Sequence, residues 1–363
     1  MITWNYHNPV RLLSSPVEAL ANHVTSKRLL LVTTPGFVRR GVTQRLCELL
    51  ASSQVTVWDG VRPNPDLQDL DVAIKNLEPL GIESVVGLGG GSALDAAKIL
   101  ATTLAAPVST TLMDVFRFGA KAPWDRRLPL ILIPTTSGTG SEVTPFATIW
   151  DHEEHKKHSL AGHFVFPDLA LLDAALTLTL NQDDTLYPAL DAISHALESL
   201  WNKNITPVSR AFAFQSLNLS SHALPLVLVE PLSLKARQDL LIASAMAGLA
   251  ISQTRTALAH SISYPITSHF GIPHGLACSF TLPKLLNKNM SMLFANDGEQ
   301  LVLEKIHQLL ITLNLSKRLA KYVDLKNLLT VEQEMLTPGR ADNYQGVDIT
   351  LRELVTAACL VSS

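Results

Sequence analysis

Short apolar runs alternate with helical patterns over the first half of the chain. Each run is bounded by polar residues or glycine, as is typical of a buried strand, and each intervening segment repeats its apolar residues with the period of a helix. The predicted strands are 28–33, 55–58, 84–88 and 130–133, and the predicted helices are 43–51, 67–76 and 93–103. Strands that alternate with helices pair in parallel, so this half predicts an open sheet that binds its ligand at the carboxyl ends of the strands.

From about Thr177 onward, the pattern changes to long segments of helical period with few strand signals. The predicted helices are 183–203, 207–224, 234–253 and 301–313. We therefore expect two domains: an α/β domain with an open parallel, Rossmann-like sheet over residues 1–176, and an all-α domain over residues 177–363. A length of 363 residues agrees with this division, because single cores rarely grow beyond roughly 250–300 residues.

Composition excludes several classes of function. With 47% apolar and 17% charged residues and a net charge of −3, the chain is typical of a globular protein that binds neither nucleic acid nor an anionic membrane. Cys47, Cys278 and Cys359 are far apart, which favours a reducing compartment over a disulfide framework. The N-terminal residues lack the pattern of a secretory signal, and no run of 18 apolar residues predicts a membrane span. We expect a cytoplasmic protein.

Two loops of small residues follow predicted strands. Gly89-Gly90-Gly91-Ser92 opens a predicted helix, where glycines permit close approach of a ligand and the helix N-terminus favours phosphate. Ser92 stands where a Rossmann fingerprint requires glycine, so this motif alone does not identify a nucleotide site. The second loop, 134–142 (PTTSGTGSE), offers hydroxyls and glycines that could surround a pyrophosphate or a ribose. Either loop alone could be a turn, but two in one α/β domain favour a dinucleotide site.

Three histidines and one aspartate predict a metal centre. Asp191 and His195 are four residues apart, so on a helix they share one face. His260 and His274 are separated by a segment whose prolines and glycine turn the chain back. Three imidazoles and a carboxylate form a full first shell for a divalent transition metal, whereas the alternative is that these histidines are ordinary core residues.

Together these motifs resemble the iron-containing (group III) alcohol dehydrogenase family, through VVGLGGGSALDAAK, IPTTSGTGSE, LDAISHALES and the AH and PHG histidines. The resemblance implies a dehydroquinate synthase-like architecture, a homodimer, and hydride transfer between NAD(H) or NADP(H) and a small aldehyde. It implies that Asp191, His195, His260 and His274 bind Fe²⁺ or Zn²⁺. The cofactor contacts that it implies are Asn64, Gly90, Gly91, Ser92, Asp95, Thr135, Thr136, Thr139, Lys157 and Leu178.

Two positions depart from the family pattern. Thr34 stands where many members have an acidic residue that binds the adenosine ribose, and Arg39 and Arg40 follow it. We expect Thr34 to contact the cofactor and NADP(H) to be tolerated or preferred, unless the arginines only form an exposed helix face. Tyr264 stands where many relatives have a second histidine. A tyrosine relays protons poorly at neutral pH, so a catalytic role for Tyr264 would be to donate a hydrogen bond to the substrate or to shape the pocket.

Basic residues form the third departure. Arg255 lies just before His260, Arg210 stands where an acidic residue is frequent, and Lys203 follows the first two metal-binding candidates. Such side chains suit a phosphonate, phosphate or carboxylate on the substrate, and the alternative is that they form interhelical salt bridges.

The segments ALESLWNKN and TRTALAHSISYPIT are similar to the branch of the family that reduces phosphonoacetaldehyde. This similarity implies reduction of that anionic aldehyde to 2-hydroxyethylphosphonate in phosphonate metabolism. The alternatives are a general primary-alcohol dehydrogenase, an enzyme like glycerol-phosphate dehydrogenase or a sugar-phosphate cyclase, and a non-catalytic scaffold stabilised by metal and nucleotide.

Overall fold

A computed structural model describes residues 4–105, 110–154 and 156–359. The main chain forms two compact units. The first, called the sheet unit, consists of Asn8–Thr136 and Ser141–Thr177. The second, called the helical unit, comprises the described residues as far as His7, the short segment Ser137–Gly140, and the chain from Leu178 onward.

The sheet unit contains a six-stranded sheet in the order β1-β8-β5-β4-β2-β3, and every neighbouring pair is parallel. A separate antiparallel hairpin pairs β6 with β7, and residue 155 between them lies outside the described residues. The strands are β1 Arg11–Ser14, β2 Arg28–Val32, β3 Gln54–Trp58, β4 Ser84–Gly89, β5 Leu130–Pro134, β6 Phe146–Asp151, β7 Lys156–Ala161 and β8 Leu169–Leu172. The prediction of an open parallel sheet is confirmed.

The burial of the central strands explains why the sheet could be predicted from the sequence. Strands β4 and β5 are buried along their whole length, because helices cover both faces of a parallel sheet, and their residues are accordingly apolar or small. The edge strand β1 is mostly exposed and lacks an apolar pattern, so it was not predicted. Strand β8 and the hairpin were also not predicted as strands.

The described residues of this unit also contain five α-helices. Helix α3 begins after Asp66, whose side chain accepts hydrogen bonds from the backbone N–H groups of Gln68 and Asp69. Helix α4 begins after Gly90, directly beyond β4. The helices are α1 Pro35–Arg39, α2 Val42–Leu49, α3 Leu67–Leu77, α4 Gly91–Thr103 and α5 Leu112–Phe116.

Ten further helices, among the residues described, form the helical unit. They are α6 Gln182–Leu200, α7 Pro207–Val229, α8 Leu234–Thr254, α9 Leu258–Phe270, α10 His274–Ala277, α11 Leu282–Leu293, α12 Asp297–Thr312, α13 Leu315–Leu319, α14 Leu325–Leu328 and α15 Leu351–Cys359. The predicted helical second half is therefore confirmed. By length and a mean hydropathy of 1.2, α7 alone among the described helices could cross a membrane, but it packs against α6, α8 and α12.

The segment Ser137–Gly140 packs within the helical unit although the sheet unit flanks it in sequence. Gly138 lies against Pro188 of α6, and Gly140 lies against the backbone of Gly248 in α8. Neither glycine has room for a Cβ atom, so close backbone packing accounts for both small residues in this loop.

Candidate active site

Helix α6 places a carboxylate and an imidazole on one buried face. Asn181 caps its N-terminus by accepting a hydrogen bond from the N–H of Asp184. Asp191, His195 and Glu198 follow at spacings of four and three residues, which puts all three on the same face of the helix. All are almost completely buried, and Nε2 of His195 lies 3.5 Å from Oδ1 of Asp191.

Glu198 orients the next histidine, His260 of α9. Its Oε2 accepts a hydrogen bond from Nδ1 of His260 at 2.5 Å, while its Oε1 accepts the backbone N–H groups of Ala259 and His260 at 2.6 and 3.2 Å. The Nδ1 proton is thereby held toward Glu198, so that Nε2 faces Asp191 Oδ1 at 3.2 Å. Sequence reasoning did not single out Glu198, although it continues the helical spacing of Asp191 and His195.

His274 begins the short helix α10 and completes the group. Helix α9 ends at Phe270, and the φ of 63° at the following Gly271 reverses the chain. The following Gly275 packs so closely on the carbonyl of Tyr187 in α6 that any side chain would overlap it. This approach brings His274 Nε2 to 3.8 Å from Asp191 Oδ1.

A thiol that sequence reasoning missed also belongs to this group. Sγ of buried Cys278 lies 3.4 Å from Asp191 Oδ1, and donor atoms of Asp191, His260, His274 and Cys278 all lie within 4.8 Å of one another. The ring of His195 stacks on that of His260 at a centroid distance of 4.6 Å. The structure thus brings the four predicted side chains together, with Cys278 beside them. Its spacing of four residues from His274 was the available signal.

The pKa values of the group reflect strong mutual interaction. Burial alone would raise the pKa of Asp191, but His195 and the hydrogen bond from His260 outweigh it and hold this pKa far below its usual value. Burial lowers the pKa of His195 to about 4. Burial would also lower the pKa of His260, but Glu198 and Asp191 raise it to about 9. At neutral pH, an ionised Asp191 therefore faces a neutral His195 and a protonated His260 in a buried pocket.

This donor set fits a divalent metal ion. Nε2 of His195 and Nε2 of His260 both lie toward Oδ1 of Asp191, at 3.5 and 3.2 Å, so nitrogen and oxygen donors converge on one point. Carboxylate and imidazole donors suit Fe²⁺ or Zn²⁺, and a thiol adds affinity for zinc. The side chain of His274 is 32% exposed, whereas those of Asp191, His195 and His260 are at most 7% exposed. Small molecules can therefore reach the group on the His274 side.

Tyr264 and Arg340 extend the group on this accessible side. The Tyr264 ring stacks nearly parallel to the His274 ring, at a centroid distance of 6.1 Å and an interplanar angle of 8°. Cζ of Arg340 lies 4.5 Å from the centroid of the Tyr264 ring, and its Nη1 donates a hydrogen bond to Tyr264 Oη. Burial raises the pKa of Tyr264, so its hydroxyl stays protonated. Nothing in the local sequence around Arg340 indicated this position.

The three basic residues singled out from the sequence have different surroundings. Arg210 donates a hydrogen bond to Glu299 at 2.5 Å, and Lys203 forms an ion pair of 3.8 Å with Asp342. Arg255 is exposed, and its guanidinium forms neither a hydrogen bond nor an ion pair with another described residue. Its backbone, at φ 62° and ψ 179°, lies in a region that residues other than glycine rarely adopt.

In the sheet unit, the predicted cofactor residues follow the carboxyl ends of several strands. Thr34 precedes α1 after β2, and Thr136 follows β5. Gly90 stands at the N-terminus of α4, where a Cβ atom would come within 3.1 Å of Thr136 Oγ1. The N–H of Asn64 donates a hydrogen bond to Ser92 Oγ at 3.2 Å. The two loops therefore share one edge of the sheet, where open α/β sheets bind nucleotides.

The other residues predicted to contact the cofactor lie in different surroundings. Thr135 is buried, and its N–H donates to the carbonyl of Gly89. Asp95 accepts hydrogen bonds from Ser141 Oγ and the N–H of Thr148, so its carboxylate holds the loop and the hairpin. Nζ of Lys157 lies 5.5 Å from the centroid of a Trp150 ring. Gly91 and Ser92 begin α4, and Thr139 and Leu178 belong to the helical unit.

Comparisons with known proteins agree with this geometry. The model of a family described as "Iron-containing alcohol dehydrogenase" matches residues 13–174, and the "Fe-containing alcohol dehydrogenase family, C-terminal" model matches 185–347. The probable alcohol dehydrogenase EutG of Escherichia coli is 34% identical over 72% of this chain and 66% of its own, just under two thirds. Phosphonoacetaldehyde reductase of Streptomyces viridochromogenes is 33% identical over 77% of this chain and 69% of its own. The crystal structure of sulfoacetaldehyde reductase from Bifidobacterium kashiwanohense in complex with NAD⁺ is 27% identical and covers 100% of both chains, with a TM-score of 0.88.

Proposed function

Because this chain belongs to the iron-containing alcohol dehydrogenase family, we propose that it is a metal-dependent, NAD(P)-linked dehydrogenase that interconverts a small aldehyde and its alcohol. The observation that carries the proposal is the convergence of His195, His260 and His274 on Oδ1 of Asp191. A group of this composition fits a divalent ion, because carboxylate oxygen and imidazole nitrogen are typical donors for such an ion.

The side chains have separate roles in this proposal. A metal ion bound by Asp191, His195, His260 and His274 supplies Lewis acidity toward the aldehyde oxygen, and the nicotinamide supplies or accepts the hydride. Glu198 holds His260 with its proton on Nδ1 and its Nε2 toward the ion. The burial of three of the four donors excludes water from all but the His274 side, where the aldehyde enters.

For the dinucleotide, we propose the edge of the sheet that carries both small-residue loops. Gly90 and Gly91 leave backbone N–H groups of the α4 N-terminus open toward a pyrophosphate. Thr34 carries no negative charge, and Arg39 and Arg40 are exposed beside it. A 2′-phosphate would meet no repulsion here, so we propose that NADP(H) is accepted together with NAD(H).

The substrate that we propose is an anionic aldehyde, with phosphonoacetaldehyde as the leading candidate and 2-hydroxyethylphosphonate as its product. The support is the relative named for that substrate and a solved relative named for sulfoacetaldehyde, which has a sulfonate in the corresponding place. Cations on the helical unit offer the charge that such tails require. Arg255 is exposed and forms no ion pair with a carboxylate of the described residues, whereas Arg210 and Lys203 are paired with carboxylates.

A turnover assay tests the proposal. Purified protein stripped of metal is reloaded with Fe²⁺ or Zn²⁺, and oxidation of NADH and NADPH is followed with propanal and with phosphonoacetaldehyde. We expect turnover only after reloading. If reloading raises the melting temperature but no aldehyde is turned over, the protein is a metal-stabilised scaffold and the proposal is wrong.

We propose further that the protein is a homodimer in the cytoplasm. All three cysteines are free thiols, which agrees with a reducing compartment. Light scattering of the purified protein measures the oligomeric state, and a monomeric mass would contradict this part of the proposal.

A further inference from the structure

We infer that Arg340, held in place by Tyr264, recognises the anionic group of the substrate. The inference rests on the proposed function, because it names the class of aldehyde that this site takes. It assigns specificity to a residue outside the metal group and explains why a tyrosine stands at position 264. The supporting observations are the position, the surroundings and the fixed backbone of Arg340.

The position of Arg340 is set by two ring contacts. The Tyr264 ring stacks on His274, the only one of the four metal-binding candidates that is substantially exposed. Arg340 lies over the same tyrosine ring and donates to its hydroxyl. Centroid distances of 6.1 Å and 4.5 Å link the three side chains, so the guanidinium lies within about 11 Å of the His274 ring. Phosphonoacetaldehyde spans about 5 Å between its terminal oxygens, so contacts of about 3 Å at its two ends are also needed to bridge that distance.

The charge of Arg340 is available for a ligand. No carboxylate in the described parts of the chain lies within ion-pair distance of its guanidinium, and the side chain is only partly exposed. The charge of Arg210, by contrast, is already paired with that of Glu299. A guanidinium beside an aromatic ring keeps donors free for the paired hydrogen bonds that phosphonate and sulfonate oxygens accept.

The backbone that carries Arg340 is anchored to helix α9. Ser261 Oγ accepts the N–H of Thr337 at 2.8 Å and donates to the carbonyl of Met335 at 2.7 Å. Asn343 donates from its side chain to the carbonyls of Thr256 and Gly339, at 2.9 and 3.2 Å. The loop is therefore tied down on both sides of Arg340.

The same loop is also anchored to the end of α6. The N–H of Lys203 donates to the carbonyl of Asn343 at 2.8 Å, and the N–H of Gln345 donates to the carbonyl of Trp201 at 2.8 Å. Helices α6 and α9 carry Asp191, His195 and His260, so the guanidinium is fixed relative to the metal group. A preorganised cation binds an anion without a further cost of ordering its loop.

Tyr264 acts here as a positioning residue. Its ring supports the guanidinium and its hydroxyl accepts a hydrogen bond from it, which a histidine ring would not reproduce with the same reach. The structure thus gives a physical reason for the departure from the family pattern at this position: the tyrosine holds a cation near the point where the substrate enters.

The test compares an anionic with a neutral aldehyde of similar size in the metal-loaded enzyme. For Arg340→Gln, we expect kcat/KM for phosphonoacetaldehyde to fall about 30- to 100-fold, mainly through KM, and kcat/KM for propanal to change less than about threefold. Arg340→Lys should restore part of the loss, and Tyr264→Phe should lose about three- to tenfold with the anionic substrate alone. Equal losses on both aldehydes, or none on either, would overturn the inference.

Two further arginines serve as comparisons. Arg352→Gln removes an exposed charge from α15 and should leave both substrates unaffected. Arg255→Gln removes the alternative anion-binding residue, and if it alone causes the selective loss, then the assignment to Arg340 is wrong.

A binding measurement separates this inference from the proposed function. Calorimetry with methylphosphonate, which cannot react, should give at least tenfold weaker binding to Arg340→Gln than to the unaltered protein. If no aldehyde is reduced but this difference is found, the proposed function fails and the anion site stands. If propanal is reduced and methylphosphonate binds both proteins equally, the dehydrogenase stands and the anion site is refuted.

Discussion

The imidazole of His260 donates a hydrogen bond of 2.5 Å from Nδ1 to the carboxylate of Glu198, and both side chains are buried. The other oxygen of Glu198 accepts two backbone N–H groups at the start of α9. This carboxylate therefore sets the position, the ring orientation and the tautomer of His260. It contacts the metal-binding candidate His260 but is not itself one of the four candidates.

Replacing Glu198 by Gln keeps the shape of the side chain but removes the charge that favours the proton on Nδ1 of His260. We expect metal affinity to fall about 10- to 100-fold. Titration of the stripped protein with Zn²⁺ against a chelating indicator measures this affinity. Glu334→Gln is a matched control, because Glu334 also binds a histidine, His269, but on the surface. Equal affinities in the two variants would refute the role of Glu198.

His260→Ala should abolish both metal content and turnover, because it removes a buried nitrogen donor 3.2 Å from Asp191. Metal analysis of the purified variant and the NADH assay check this together. His269→Ala, on the same helix but exposed, should retain both properties. Full activity in a metal-free His260→Ala protein would contradict the role that we give to the metal.

Gly275→Ala should destabilise the helical unit, because the new methyl group would overlap the carbonyl of Tyr187. We expect a loss of about 1–3 kcal/mol in the free energy of unfolding together with weaker metal binding, since His274 would move with α10. Urea denaturation measures the first effect. In Gly36→Ala, the new methyl would meet the flexible end of Arg40 at 3.3 Å and Thr34 Oγ1 at an ordinary contact distance of 3.6 Å, and stability should change little. Similar free energies of unfolding for the two variants would show that α10 can move away from Tyr187 without loss of stability.

Thr34→Asp should penalise NADPH relative to NADH about tenfold or more in kcat/KM, because a carboxylate would repel the 2′-phosphate. Steady-state kinetics with the two cofactors measure the ratio. Thr34→Asn is the uncharged control and should preserve it. An unchanged ratio in the aspartate variant would mean that the ribose is bound elsewhere.

The sheet unit should show a stability effect that depends on pH. Glu142 is buried, one of its oxygens has no hydrogen-bond partner among the described residues, and burial raises its pKa to about 7. A raised pKa means that the folded state binds the proton more tightly than the unfolded state. The protonated Glu142 side chain therefore contributes its full stabilisation below about pH 4.5, and this contribution is lost as the pH rises through 7.

Glu142→Gln mimics the protonated form and should not lose stability over this interval. We expect the free energy of unfolding of the variant to rise relative to that of the unaltered protein, by on the order of 2 kcal/mol from pH 4.5 to 8. Urea denaturation at each pH measures this difference. Glu83→Gln, at an exposed carboxylate whose pKa is lowered instead, is the control and should not show this change. Parallel curves for Glu142→Gln and the unaltered protein would show that Glu142 stays ionised.

Helical spacing made part of the site predictable. Asp191 and His195 meet because four residues span about one turn, and the same rule applied once more would have identified Glu198 and Cys278. Buried strands such as β4 and β5 were predictable for a similar reason, since burial on both faces leaves a continuous run of apolar or small residues.

Other parts could not be read from local patterns. Strand β1 is mostly exposed, and it is a strand because its backbone pairs with β8, far away in sequence. Arg340 lies in an irregular loop whose position depends on hydrogen bonds to Ser261 and Thr256 through its neighbours. No periodicity marks such a residue, because its place depends on contacts between distant segments.

The path of Ser137–Gly140 determines whether the two units can be separated as fragments of the chain. A fragment ending at Thr177 would contain Gly138 and Gly140 but not Pro188 and Gly248, against which they pack. The complementary fragment would lack four residues from its own interior. A single cut of the chain therefore cannot separate the two units with each of them complete.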